Sequence, residues 1–309
     1  EHLRQIQDYA FGDADFYSAG VIANGHEAQD VIVNDEILQQ KWANERGLQV
    51  GSIFDVLAKI PYVKRLYTPD WSSKILEAQI REYKPDVLYF QNIEYFSPSY
   101  LESLREAFGT KIIGQKASPI SRLGCFKVAD LTFTSFPHFV PYFEKERVNA
   151  QYMPLAFGER VHELVGEQEK KYDCTFVGGL SRHHSKGLAL LTRVAELFPV
   201  QFFGYGKEIL DTDSHIYKNH HGEVWGVDMY RILKQSKITI NRHINVAEDN
   251  ANNMRLFEAT GSGAMLITDE KKNLHELFEV GKEVVTYKNA DDLAEKIEYY
   301  LEHEDELRA

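Results

Sequence analysis

Cysteine is nearly absent: 309 residues carry two, Cys125 and Cys174, in different halves and without metal-ligand spacing. That excludes a disulfide framework and points to a reducing, cytoplasmic setting. Long apolar runs are missing too. Stretches such as Ile238–Ile240 and Ala264–Ile267 fall far below the roughly 20 residues that cross a bilayer, so an integral membrane protein is excluded. Positive charge is in deficit, with a formal net charge of -12, which argues against a nucleic-acid backbone as partner. An anionic small molecule stays open wherever cations cluster locally. No repeat, P-loop or nucleophile-elbow sequence occurs. A dinucleotide fingerprint is not met at Phe203-Gly204-Tyr205-Gly206, because Ile209 stands where the third glycine would fall. There is no signal peptide, and the chain starts at Glu1 without an initiator methionine. The expectation is a piece of a larger multidomain chain, or one peripheral to a membrane, that has lost its targeting information.

What is present is an ordinary globular composition, 43% hydrophobic and 27% charged, on a chain long enough for two cores. Short apolar runs alternate with amphipathic stretches, the pattern of β-α units on a parallel sheet, so the fold class is α/β. In the first half the runs predict strands at Ala28–Val33, Val87–Phe90, Lys111–Gly114 and Leu131–Ser135, and a helix over Ile75–Tyr83 that stops before Pro85. In the second half they predict strands at Cys174–Val177, Gln201–Phe203, Ile238–Asn241 and Ala264–Thr268. Helices are predicted over Gly187–Phe198, Met229–Gln235 and Asn253–Thr260, and a last one carries Leu293, Ile297 and Leu301 on one face. Met153-Pro154-Leu155-Ala156-Phe157-Gly158 reads as the hinge, which sets domains at residues 1–155 and 156–309. Glu1–Tyr9 is polar and helix-like, so the buried strand that usually opens such a domain is missing or lies upstream.

In open α/β sheets ligands bind beyond the carboxyl ends of the strands. Three clusters fall there. Gly178 and Gly179, followed by Arg182 and Lys186 ahead of a helix, suit a diphosphate, since glycine admits close backbone approach and the helix amides face an anion. Flexible solvated charges would read the same. Gly204 and Gly206 with Tyr205 and Trp225 offer a planar base a surface. Asn252 and Asn253 cap a helix start, Arg255 adds a cation one turn on, and Glu258, among apolar neighbours, suits two vicinal ribose hydroxyls. A surface glutamate on an amphipathic helix is the plain alternative.

Taken together, these residues resemble the nucleotide-sugar domain of GT-B glycosyltransferases, especially glycosyltransferase family 4 and the spore-maturation-protein-like group. The resemblance covers residues 172–309, and extends loosely to Asn24-Gly25-His26-Glu27 and Lys84-Pro85-Asp86 in the first half. It implies two Rossmann-like domains facing a central cleft: an acceptor-side domain over 1–155 and a nucleotide-sugar domain over 156–309. It places Gly178, Gly179, Arg182 and Lys186 on the diphosphate and Glu258, the second glutamate of the family's paired motif, on the ribose. The first glutamate of that pair would fall at Asn250, so the carboxylate near the sugar is absent. The implied activity is metal-independent transfer of a hexosyl or deoxyhexosyl group from a nucleoside diphosphate sugar to a glycan or lipid-linked acceptor. No cofactor is expected beyond the donor, and Arg182 and Lys186 stabilise the leaving diphosphate electrostatically.

A general base would come from the first half, where Asp13, Asp15, Gln91, Asn92, Gln115, Lys116 and His138 are candidates; Gln115 and Lys116 read best as acceptor contacts. Asp211-Thr212-Asp213 supplies too few oxygens for a hard cation, and the adjacent pairs His183-His184 and His220-His221 lack metal-ligand spacing. Rival readings are a sugar-nucleotide epimerase of the same fold, and a catalytically silent module that binds nucleotide sugar or glycan.

Overall fold

The computed structural model describes residues 1–11, 14–50, 70–181, 185–243 and 247–308. The chain divides into two compact units, Glu1–Gln7 with Asp13–Met153, and Asp8–Gly12 with Pro154–Ala309.

The first unit holds four parallel strands, β1 (Val87–Phe90), β2 (Lys111–Lys116), β3 (Leu131–Thr134) and β4 (Ala150–Tyr152), in the order β1-β2-β3-β4. Alternation along β2 buries Ile112, Gly114 and Lys116. Helices Asp70–Tyr83, Pro98–Phe108 and Leu123–Val128 help close a core of Leu76, Ile80, Leu101, Leu104, Ile112, Phe126 and Phe143. The helix Pro98–Phe108 is written into its ends: Ser97 accepts the Tyr100 N–H, proline opens it, and Gly109 closes it in the left-handed conformation. Upstream lie helices His2–Asp8, Phe16–Ala23 and Glu36–Glu45.

The expected strand at Ala28–Val33 is not formed; the segment is irregular. Its polar groups are met by side chains instead of a ladder. Asp30 accepts from Gln7 Nε2 and Ser18 Oγ, and the Ile32 carbonyl accepts from Gln39 Nε2. Val31 and Val33 pack against the core of the unit without joining its sheet, which periodicity alone does not separate from a strand. The short β4, on the sheet edge, was not anticipated.

The second unit holds five parallel strands: β5 (Tyr172–Val177), β6 (Gln201–Phe203), β7 (Ser236–Asn241), β8 (Met265–Asp269) and β9 (Val285–Tyr287), in the order β6-β5-β7-β8-β9. β5 and β7 are central and buried over nearly their whole length, as parallel strands covered on both faces require. Their buried hydroxyls pair across the ladder, with Thr175 Oγ1 2.9 Å from Ser236 Oγ and 3.1 Å from Thr239 Oγ1. Ile238, Ile240, Phe202, Leu191, Val194, Leu293 and Ile297 fill the core between this sheet and helices Ser185–Leu197 and Ala290–Glu302. Residues 8–11 belong to this unit: the Val227 N–H donates to the Tyr9 carbonyl at 3.0 Å, Asp8 pairs with Arg160, and Phe11 meets Trp225 edge-on.

Each unit buries one reduced thiol, Cys125 in the first and Cys174 in the second. Burial pushes both thiols up from their ordinary value. Among the described residues no helix is long and apolar enough to cross a membrane.

Candidate functional site

Strand order decides where a ligand fits in the second unit. Counting from β5, the sheet runs second, first, third, fourth, fifth, so the order reverses between β5 and β7. Connections leave to opposite faces at such a reversal and open a crevice beyond the carboxyl ends of the two strands. Val177, Gly178 and Gly179 end β5, and Asn241, Arg242 and His243 end β7.

The glycines let chain and rings approach closely. The Gly178 N–H donates to the Phe203 carbonyl at 2.8 Å and the Leu180 N–H to the Tyr205 carbonyl at 2.9 Å, so β5 and β6 stay zipped past their formal ends. Gly204, at φ 135°, runs so close that a Cβ on it would lie 2.2 Å from the Gly178 carbonyl oxygen. The Tyr205 ring lies on Gly179, where a Cβ would fall 2.0 Å from Tyr205 Cζ. Tyr205 in turn lies parallel to Trp225 within 8°, at 6.1 Å between centroids. Trp225 Nε1 is held by Glu223 at 3.0 Å. The structure thus brings Gly178, Gly179, Tyr205 and Trp225 into one aromatic-lined wall.

The helix Met254–Gly261 begins at Asn253, whose side chain accepts the Leu256 N–H and donates to Asn241 Oδ1 at 2.9 Å and to the Arg242 carbonyl at 3.3 Å. This cap therefore also locks the end of β7. Asn252 is buried beside it. Arg255 is not a free cation: Nη1 lies 2.9 Å from Glu258 Oε2 and Nε donates to the Val177 carbonyl at 3.0 Å. Glu258 is 5% exposed. Burial, and after it the neighbouring Glu258 carboxylate, raises the Tyr230 phenol. The Arg255–Glu258 pair is a rigid brace between the helix start and the end of β5, and a paired carboxylate still has lone pairs for hydroxyl donors.

Sequence reasoning passed over a second layer at the same strand ends. Asp269, ending β8, accepts both the backbone N–H of His243 at 3.0 Å and its ring Nδ1 at 2.7 Å. Burial pushes the Asp269 carboxyl up, but the His243 bonds and Lys271 outweigh it and leave it below its ordinary value. The Tyr287 hydroxyl donates to the Asn241 carbonyl at 3.2 Å, and burial raises that phenol. The rule that singled out Gly178 applies equally to Arg242 and His243, which follow the predicted strand Ile238–Asn241; their plain composition hid them.

Other candidates are placed as follows. Arg182, Asp13 and the pair His183-His184 lie outside the described residues, and Lys186 is described only as a member of the helix Ser185–Leu197. In the first unit Lys116 is not exposed at a strand end. It forms a buried ion pair with Glu94, whose other oxygen takes the backbone N–H groups of Ser121 and Arg122. Burial raises the Glu94 carboxyl, and Lys116 with those two N–H groups brings it below its ordinary value. The Tyr89 hydroxyl donates to Gln115 at 2.5 Å. Gln91 and Asn92 are exposed, Asp15 precedes the helix Phe16–Ala23, and His138 packs on Phe136 and Phe139. His220 Nδ1 accepts the Gly222 N–H, His221 stacks on Phe203, and Asp211 accepts the Asp213 N–H. Among the described residues no group of three His, Cys, Asp or Glu side chains stands ready for a metal ion.

Comparison with known proteins agrees with this geometry. A family model described as glycosyl transferase-like matches residues 182–309. Among solved structures, HepE of Anabaena in complex with UDP-glucose superposes at a TM-score of 0.54 with 11% identity, over 87% of this chain and 80% of that one. The fold is that of the GT-B glycosyltransferases. A sucrose-phosphate synthase from Thermosynechococcus elongatus (TM-score 0.52, 12% identity, 78% of this chain and 73% of that one) and a glycosyltransferase from Rickettsia africae (0.50, 16%, 89% and 80%) are similar in the same way. At these identities the likeness concerns the fold. No curated protein sequence matches the chain. The GT-B resemblance read from the strand-end glycines and Glu258 is therefore correct at the level of fold, and the finer placement in family 4 or the spore-maturation-protein-like group gains nothing from it.

Proposed function

We propose that the chain is a glycosyltransferase that takes a hexosyl or deoxyhexosyl group from a nucleoside diphosphate sugar and gives it to a glycan or lipid-linked acceptor, without metal or further cofactor, in the cytoplasm. The observation that carries this reading is the crevice beyond β5 and β7. Two helix starts, Ser185 and Met254, flank glycine-lined strand ends, a parallel Tyr205–Trp225 pair and the buried Glu258 carboxylate. Helix amides and dipoles favour the diphosphate, the aromatic pair a base, and Glu258 the ribose hydroxyls. Arg182 and Lys186, ahead of and within the first turn of the Ser185 helix, add the cations. In the reaction the anomeric carbon exchanges its bond to the β-phosphate oxygen for one to the acceptor oxygen. The electron pair stays on the phosphate and the hydroxyl proton passes to solvent. Preorganised positive charge at that phosphate lowers the barrier.

The test is a thermal-shift screen of nucleotide sugars, among them UDP-glucose, the ligand of the HepE complex. A true donor at 100 times its Kd adds about 2.7 kcal/mol of stability. Glu258→Ala weakens that donor about tenfold or more by calorimetry. A chain that no nucleotide sugar stabilises, or a Glu258→Ala variant with unchanged donor affinity, sinks the donor and ribose assignments respectively.

A further inference from the structure

The crevice holds a cation that no sequence motif announced. Arg242 follows the end of β7 and brings its guanidinium against Gly187, in the first turn of the helix Ser185–Leu197. A Cβ on Gly187 would fall 1.9 Å from Arg242 Cζ, 2.1 Å from Nε and 2.3 Å from Nη1. The missing Cβ is what lets the guanidinium come so close. Its backbone is pinned from three directions, by Asn253 on the Arg242 carbonyl, by Tyr287 on the Asn241 carbonyl, and by Asp269 on the His243 N–H and ring. Among the described residues its side chain has no carboxylate partner, in contrast to Arg255, which has Glu258. Neither the Ser185 helix nor the Met254 helix carries an acidic residue in its first turn.

That arrangement is electrostatically unfavourable as it stands. A helix N-terminus carries partial positive charge and stabilises anions, so a guanidinium placed against it, without a carboxylate partner among the described residues, is in an unfavourable position. Proteins ordinarily place an acid there. The arrangement becomes favourable when an anion sits against both the helix amides and the guanidinium, whose planar fork matches a phosphate.

We infer that Arg242 is a third cation of the diphosphate site, delivered in space to the helix start where Arg182 and Lys186 arrive in sequence, and that it grips the departing nucleoside diphosphate more tightly than the intact donor. The inference rests on the donor-binding reading above. A nucleoside diphosphate sugar carries two negative charges on its phosphates. When the anomeric bond breaks, its electron pair stays on the β-phosphate oxygen and the acceptor hydroxyl releases its proton to solvent, so the leaving group carries a third. Two cations balance the donor and three balance the leaving group.

Calorimetry on the whole chain tests this with UDP, GDP, ADP, dTDP and inorganic pyrophosphate, which removes any dependence on the base. Arg242→Gln is expected to weaken the nucleoside diphosphate that wild type binds by about tenfold or more, to weaken the corresponding nucleotide sugar less, and to leave the unliganded melting temperature unchanged or raised. Gly187→Ala, a substitution that favours helix, is expected to weaken the same ligand by displacing the guanidinium while the protein stays folded. Arg242→Lys should restore part of the loss. Unchanged diphosphate affinity in both Arg242→Gln and Gly187→Ala overturns the role of Arg242 and leaves the donor reading standing. A lowered unliganded melting temperature with unchanged affinity makes Arg242 a structural residue and overturns it equally. A wild type that binds none of the five ligands removes the donor reading, and this inference with it.

Discussion

The two sheets spend their strand ends differently. In the first unit the described strands run in sequential order, β1-β2-β3-β4, and in the second the order reverses between β5 and β7. A sheet without a reversal sends its connections the same way at every step, and the two polar side chains that end β2 find partners inside the unit. Lys116 takes Glu94 and Gln115 takes Tyr89. At the reversal in the second unit the backbone is tied down from several sides, while the Arg242 head group has no carboxylate partner among the described residues. Polar residues at strand ends are thus ambiguous until the order is known: a cation is a brace in one sheet, and in the other it is without a carboxylate partner among the described residues.

The sharpest way to break this contrast is Lys116→Met. It strands the buried Glu94 carboxylate and should cost about 3–5 kcal/mol in urea denaturation. The double variant with Glu94→Gln should recover much of that, and the nucleotide affinity of the folded protein should not change. A Lys116→Met protein that stays stable but loses acceptor turnover would return Lys116 to the site.

Next in size is Asp269→Asn. The Asp269 carboxyl titrates below its ordinary value in the folded chain, so its contribution is present above the ordinary Asp range and is lost as pH falls through the lowered folded value. Hydrogen bonds to a charged group suggest about 1.5–3 kcal/mol at pH 7. Melting curves from pH 7 down to about pH 3 should show the wild type losing this advantage in acid and the variant staying flatter. Parallel curves for the two proteins would detach Asp269 from the stability of the strand end.

The smallest effects come from the two helix caps. Ser97→Ala and Asn253→Ala should each cost about 1 kcal/mol. Only Asn253→Ala should also weaken nucleotide binding, because Asn253 holds the Arg242 carbonyl. Equal nucleotide affinity in the two variants would mean that the pinning of β7 is irrelevant to the ligand.

Sequence made the central strands legible because short apolar clusters mark them, Cys174, Phe176 and Val177 in β5 and Ile238 and Ile240 in β7, and it made the helix Pro98–Phe108 legible through Ser97, Pro98 and Gly109. Ala28–Val33 misled because its Val31 and Val33 reach the core as a strand's would, while the Asp30 and Ile32 groups are bonded to side chains and not to a ladder. β9, with three residues on an edge, is too short for a period to register. At the site, glycines and asparagines at strand ends were visible, since their chemistry is local. Arg242 was not, because what makes it notable is its fit against Gly187, a meeting arranged by β7 and the Ser185 helix and not by spacing along the chain.

The buried thiols carry a practical consequence. Cys125 and Cys174 are each closed off inside a different core, and a thiol that is buried and hard to ionise reacts only when its surroundings open. Alkylation at neutral pH therefore works as two independent clocks in one unlabelled protein, one timing the opening of each unit. A nucleotide that binds beyond β5 and β7 should slow the Cys174 clock and leave the Cys125 clock running at its own rate.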